Sequence, residues 1–224
     1  MALKLIIGNK NYSSWSLRPW LAMTAAGIPF EEELVLLDTP EFVERVRPYS
    51  PTLRVPILLD GEAVVWESIA IIEHIAERFP EAGIWPAEPV ARARARAQAT
   101  EMHGGFSGIR GAFPMNLWRP PAPHPVPEKA QRDLDAITAG WRTARERFGA
   151  GGDFLFGAFC AADAMYAPIA TRIRTYGLPV DPVSAAYVEA IHAHPAFRAW
   201  YDAAIEETAL VADDEIDWPL VKRI

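Results

Sequence analysis

Apolar and polar positions in the first third of the chain switch repeatedly between unbroken runs and helical spacing. Leu3 to Ile7 is a short aliphatic run that reads as a buried strand. Leu17, Trp20, Leu21, Thr24 and Ile28 then recur at three- and four-residue intervals, which predicts a helix closed by Gly27. Residues 33–37 read as the next strand and residues 41–46 as a short helix. Residues 57–65 read as two strands joined at Asp60-Gly61, a strong hairpin signal. Ile69, Ile72, Ala76 and Phe79 mark one face of a third helix, which Pro80 stops. The order β-α-β-α-β-β-α suits a small sheet. Its first two strands are parallel through a right-handed crossover and its last two form an antiparallel hairpin.

The pattern changes after Trp85-Pro86. Residues 89–111, rich in Ala and Arg, read as one helix, and the proline-rich run at 120–127 as a loop. Residues 128–148 read as a long helix, with further helices starting near Cys160, Pro182 and Pro195. The expected organisation is an α/β unit over 1–80 followed by an all-α unit over 89–224.

With 50% hydrophobic and 23% charged residues, the 224-residue chain has the composition of a folded protein with a real core. Its net charge of −7 is spread almost evenly, so no basic face for nucleic acid is expected. A single cysteine, Cys160, excludes an intrachain disulfide, a Cys-x-x-Cys pair and a multi-thiolate metal site, and fits a reducing compartment. The five histidines lack metal spacing, so no metal is expected. The aliphatic N-terminus turns polar at Gly8 without the run of a secretion signal, and no stretch has the length of a membrane span. A cytoplasmic protein is the expectation. Gly104, Gly105, Gly108 and Gly111 do not follow a strand, which favours close helix packing over a phosphate cradle. Arg92, Arg94 and Arg96 fan round a helix and read as a solvated face.

Three short stretches carry candidate chemistry. Ser13, Ser14 and Ser16 lie between the first strand and first helix, where free N–H groups and the helix dipole favour an anion. A hydroxyl there can hold a thiolate, and the same serines can simply cap the helix. Val55-Pro56 opens the third strand, where the Val55 backbone can pair with an extended peptide. Glu67-Ser68 precedes the third helix, so Ser68 can receive a carboxylate while Glu67 faces an ammonium group; capping alone is the alternative.

A Ser-Ser-x-Ser-x-Arg run, a Val-Pro and a Glu-Ser at these separations, followed by an all-α half, resemble cytosolic glutathione transferases of a bacterial branch. The run from Ser13 to Arg18 is similar to the serine motif of the zeta class, which includes maleylacetoacetate isomerase. The segment from Phe154 to Asp163 resembles the family's sixth-helix cap, and His194 to Trp200 its closing helix. The resemblance implies a thioredoxin-like N-terminal domain that binds glutathione as co-substrate, a helical domain that shapes the pocket for a small apolar electrophile, a homodimer, and a detoxifying role. Carried over, Ser13 stabilises the glutathione thiolate, with Ser14 as neighbour and substitute, and Arg18 belongs to the glutathione site. Val55 pairs with the cysteinyl backbone, Pro56 is a cis proline, and Glu67 and Ser68 hold the γ-glutamyl end. Trp15, Met102, Phe106, Phe113, Trp118 and Tyr166 are the candidate electrophile walls.

Two positions depart from the pattern. Trp15 stands where the zeta motif has cysteine, and Cys160 replaces the Ser or Thr that opens the helix cap. Glu101-Met102-His103 and Pro114-Met115-Asn116 resemble segments of the bacterial branch but carry no assigned chemistry. The alternative readings are a glutathione-dependent isomerase, a reductase, and a non-catalytic ligand-binding or interaction module on the same fold. A reductase normally has cysteine where Ser13 stands.

Overall fold

The structure is a computed structural model that describes residues 2–217 and 219–224. Four strands, β1 (Leu3–Ile7), β2 (Phe30–Leu34), β3 (Ile57–Asp60) and β4 (Ala63–Trp66), form one sheet in the order β2-β1-β3-β4. β1 runs parallel to β2 and antiparallel to β3, and β3 pairs antiparallel with β4. Asp60 faces Ala63, so the hairpin turns through Gly61-Glu62, where Gly61 takes a φ of 61° that favours glycine.

Alternation along β1 divides its side chains between two layers. Leu3, Leu5 and Ile7 pack with Leu17, Leu21, Ile71 and Ile75 from α1 (Ser14–Ala25) and α3 (Ser68–Arg78). Ile6 points the other way, to Val35, Ile57 and Val46 of α2 (Pro40–Val46). This is the thioredoxin-like arrangement that the resemblance implied.

β2 lies earlier than the predicted 33–37. It is an edge strand, and its sequence Phe-Glu-Glu-Glu-Leu has no apolar run to reveal it. Its acidic side chains are held by neighbours instead: Glu33 pairs with Lys4 (3.4 Å) and Arg45, and Glu32 accepts from Trp20 Nε1 (2.6 Å) and pairs with Lys10 (2.6 Å). Charges on an edge also discourage pairing with another sheet.

The rest of the chain is helical: α4 (Pro89–Gly104), α5 (Ser107–Ala112), α6 (Glu128–Phe148), α7 (Ala161–Thr175), α8 (Pro182–Ala193) and α9 (Pro195–Glu206). Proline at the first turn of α4, α8 and α9 gives up an N–H that has no partner there anyway. α7 is buried on all sides and packs against α1, α4 and α8. At its start, buried Asp163 accepts from the Cys160 N–H (2.9 Å) and the Leu155 N–H (3.1 Å). Burial pushes that carboxyl up to about 6 against these bonds.

The single helix expected over 89–111 is two. The chain breaks at Gly105-Phe106, where Phe106 takes a φ of 57°. Asp133 of α6 then caps the new start by accepting from the Gly108 (2.7 Å) and Ile109 (3.0 Å) N–H groups. A Cβ on Gly108 would meet Lys129 O at 2.7 Å, so close packing holds there, whereas Gly104 and Gly111 face open space.

Candidate functional site

The serine loop starts from Asn9. Its carbonyl accepts from Tyr12 N–H (3.2 Å) and Ser13 N–H (2.7 Å), and its side-chain oxygen accepts from Leu37 N–H (2.8 Å). Ser13 is the N-cap of α1. Its hydroxyl accepts from Ser16 N–H (3.4 Å) and donates to Ser16 Oγ (2.7 Å), which in turn accepts from Gly8 N–H (3.1 Å). Ser14 is the first helical residue, nearly buried.

The helical half pins this loop. Fully buried Asn11 accepts on Oδ1 from the Leu117 (2.7 Å) and Trp118 (2.9 Å) N–H groups. Glu207 accepts from the N–H groups of Lys10 (2.7 Å) and Asn11 (3.0 Å), and Trp200 Nε1 donates to Lys10 O (2.9 Å).

The Val55–Pro56 peptide is cis, and Val55 packs half-buried on Ile6, Val35, Val46 and Ile57. Glu67 precedes α3 with a φ of 71°, a left-handed conformation that costs a non-glycine residue about 1–3 kcal/mol and tends to occur at functional positions. Ser68 is fully buried. Its Oγ lies 3.4 Å from His103 Nδ1, while Glu67 Oε2 lies 3.4 Å from His103 Nε2. The His103 ring also meets Trp15 edge-on at 5.1 Å. One α4 side chain thus touches both the Glu-Ser turn and the first turn of α1. Sequence reading assigned His103 no chemistry, because only the fold carries the end of α4 to this place. Burial, and then the Arg18 charge, hold its imidazole below the usual range, with Glu67 pulling the other way.

Arg18 is 1% exposed, and its guanidinium carbon lies 4.0 Å from the centre of the Trp15 ring. Arg110 of α5 lies over the same ring at 4.6 Å. Arg18 Nε and Nη1 have no hydrogen-bond partner among the described residues. Burial, and then the charges of Arg172 and Arg110, push this guanidinium well below its ordinary value.

Of the six candidate electrophile walls, Trp15 and Phe106 are half-buried. Met102, Phe113, Trp118 and Tyr166 are core side chains of at most 2% exposure. Phe113 packs on Tyr176, Tyr166 on Trp141, and Trp118 on Tyr12. A separate cavity of about 510 Å³ lies between α7, α8, α9 and the C-terminal residues, lined by Arg119, Arg174, His192 and Tyr201 among others. Among the described residues, no cluster of His, Cys, Asp or Glu could hold a metal ion, and no helix is long and apolar enough to cross a membrane.

Comparison with known proteins is consistent with this geometry. Residues 12–78 match the model of the glutathione S-transferase N-terminal domain, and residues 127–203 that of the C-terminal domain. The chain is 49% identical over 61 residues to a dichloromethane dehalogenase of Methylorubrum extorquens, covering 26% of this chain and 21% of that protein. It is 33% identical over 105 residues to a probable maleylacetoacetate isomerase of Caenorhabditis elegans, covering 47% and 49%. These matches therefore span at most about half of the relatives' length. A solved glutathione transferase from Methylococcus capsulatus is similar at 25% identity and a TM-score of 0.67, covering 91% of this chain and 98% of that one. A glutathione transferase homolog from Burkholderia gl BGR1, with bound glutathione, has a TM-score of 0.72 at 24% identity, covering 92% and 100%. The two domain models, in order on a sheet and a helical half of the matching fold, place the chain in the glutathione S-transferase family.

Proposed function

We propose that the protein is a serine-type glutathione transferase that activates the thiol of glutathione as a thiolate for attack on a small electrophile with an apolar body. The observation that carries this reading is the meeting at His103 of the serine loop, through Trp15, and of the Glu67-Ser68 turn. A tripeptide needs both ends at once: donors for its sulfur and a carboxylate site for its γ-glutamyl group.

The chemistry follows from the hydroxyl chain. A free thiol has a pKa near about 8.5, so only a few per cent is thiolate at neutral pH, and lowering it by about one to two units makes the nucleophile abundant. Hydroxyl protons rotate to suit their neighbours. Once a sulfur anion lies beside Ser13, Ser16 can donate to Ser13 Oγ while Gly8 N–H holds Ser16 Oγ. That frees the Ser13 proton for the sulfur. The N-terminus of α1 adds its positive dipole end. The thiol proton leaves to solvent, the sulfur forms a bond to carbon, and the leaving group departs with its electron pair. The γ-glutamyl carboxylate would bind at Ser68, with Glu67 facing the ammonium group and Val55 pairing with the cysteinyl backbone. A cytoplasmic homodimer, and the unit boundaries at 1–80 and 89–224, belong to the same reading.

The test is Ser13→Ala. Turnover at neutral pH should fall roughly ten- to a hundredfold with glutathione affinity within a few-fold, because the hydroxyl acts mainly on the charged form. The thiolate absorbance of the bound peptide should titrate at higher pH, so that activity returns as pH rises. If Ser14→Ala behaves this way and Ser13→Ala does not, Ser14 is the donor. Failure of the wild-type protein to bind glutathione would overturn the reading as a whole.

A further inference from the structure

The cavity of about 510 Å³ between α7, α8, α9 and the C-terminal residues takes no part in the proposed transfer. It has the size of a site for a small organic molecule, about 300–1,000 Å³. α9 separates it from the serine loop. Trp200 of that helix is buried and donates to Lys10 O (2.9 Å), whereas Phe197, Arg198 and Tyr201 line the cavity.

The wall combines buried apolar side chains, Leu117 and Phe197, with polar atoms that the protein itself leaves unused. His192 Nδ1 lies 2.8 Å from Val188 O, which can only accept, so Nδ1 carries the proton. Burial pushes this imidazole down to about 4, so the ring is neutral at ordinary pH and Nε2 is an acceptor. Nε2 and the hydroxyls of Thr175 and Tyr201 have no hydrogen-bond partner among the described residues, and none of these atoms is sealed from the cavity's solvent.

Charge on the wall is uneven, with three arginines against two carboxylates. Arg119 is spent on Asp217 (2.7 Å) and Arg174 on Glu189 (2.5 Å). The charge of Arg174 still acts on both His192 and Tyr201, which places it between α8 and α9. Arg198, exposed on the first turn of α9, forms no ion pair among the described residues; Asp202, one turn on, is not within ion-pair distance of it. A free guanidinium suits a carboxylate, and a neutral imidazole nitrogen accepts from a hydroxyl.

We propose that this cavity is a second binding site, separate from that of glutathione, for an aromatic acid bearing a phenolic hydroxyl. The rings lie against Leu117 and Phe197, the carboxylate meets Arg198, and the hydroxyl donates to His192 Nε2.

Calorimetry with a hydroxybiphenyl carboxylic acid, whose polar groups stand at opposite ends of two rings, tests this. The acid should bind the wild-type protein one to one, equally well with and without saturating S-methylglutathione. Its methyl ester should bind at least about tenfold more weakly, the scale of one charge-assisted hydrogen bond, and the acid without the hydroxyl about fivefold more weakly. Arg198→Gln should weaken the acid at least about tenfold and leave the ester unchanged, while Arg198→Lys keeps part of the affinity. Circular dichroism checks that these surface variants are folded. No binding, equal binding of acid and ester, or an equal loss for both in Arg198→Gln would overturn the inference. Displacement by S-methylglutathione would also overturn it and assign the acid to the glutathione site. Failure of S-methylglutathione itself to bind would overturn the transferase reading instead, with the binding of the acid still decided by the ester and by Arg198→Gln.

Discussion

Asn11 is the most exacting test of how the serine loop is held. Its Oδ1 accepts from both Leu117 N–H (2.7 Å) and Trp118 N–H (2.9 Å) in a fully buried position. In Asn11→Ala the two amides fare differently. Trp118 N–H keeps Asn116 Oδ1 at 3.1 Å, so it loses one of two acceptors. No second acceptor for Leu117 N–H is found among the described residues. A buried, unpaired amide costs about 1–3 kcal/mol and loss of an ordinary hydrogen bond about 1 kcal/mol, so the substitution should destabilise by about 2–4 kcal/mol. Against a total stability of about 5–15 kcal/mol this is a large fraction.

Urea unfolding measures the effect as a lowered midpoint with unchanged slope. Because Asn11 leads directly into Tyr12 and Ser13, the same variant should raise the pH at which bound glutathione ionises, even with the protein still folded. A loss below about 0.5 kcal/mol, or full stability loss with an unaltered thiol titration, would refute the reasoning. The first result would mean that water replaces the side chain at no cost. The second would mean that the loop keeps its shape without this clasp.

Two further predictions use separate parts of the molecule. Ser68→Ala should raise the glutathione dissociation constant roughly tenfold with only a small drop in stability, since Glu67 rather than Ser68 holds the cap position; unchanged affinity by calorimetry would remove Ser68 from the site. His192, whose Nδ1 lies 2.8 Å from Val188 O, has its imidazole pushed down to about 4 by burial, so below about 6.5 the unfolded chain takes up a proton that the fold refuses, and stability falls as pH drops from about 6.5 to 4. His192→Gln should therefore flatten the melting temperature's pH dependence in that window relative to wild type, an effect absent if the ring is solvated.

Local signals located most of the fold. An unbroken aliphatic run gave β1, Asp60-Gly61 the hairpin of β3 and β4, and Pro89, Pro182 and Pro195 the helix starts, because each signal is local to its element. The misses depend on distant partners. β2 is stabilised by Lys4, Lys10, Trp20 and Arg45 rather than by its own apolar content, and the break after α4 is secured by Asp133 on α6. The site divides in the same way. Ser13 and Ser68 stand at helix entrances, which local sequence reveals, whereas His103 and Arg110 come beside Trp15 only through the packing of α4 and α5. A solvated-face reading suits Arg96, which pairs with exposed Glu73, but no pattern in the sequence separates it from Arg172.

The clasp also bears on why the two halves stay together. Asn11, Lys10 and Tyr12 are bound by Leu117, Trp118, Glu207, Trp200 and Glu215, the last through a 2.7 Å bond from the Tyr12 hydroxyl to its carboxylate. All these partners lie in the helical half, and all hold the residues just before Ser13. The sheet fixes Gly8 and Asn9 through β1, and the helical half fixes the next three residues, so the Ser13 hydroxyl is located by both at once. Positioning of this kind matters to catalysis because a donor displaced by about 1 Å can cost about a hundredfold in rate. Glu207 makes the coupling sensitive to charge. Burial pushes its carboxyl up, while the two N–H bonds and Lys10 pull it down. Loosening the helical half should therefore release the loop and its acceptor together, which makes the proposed thiol activation a property of the joined halves rather than of the sheet alone.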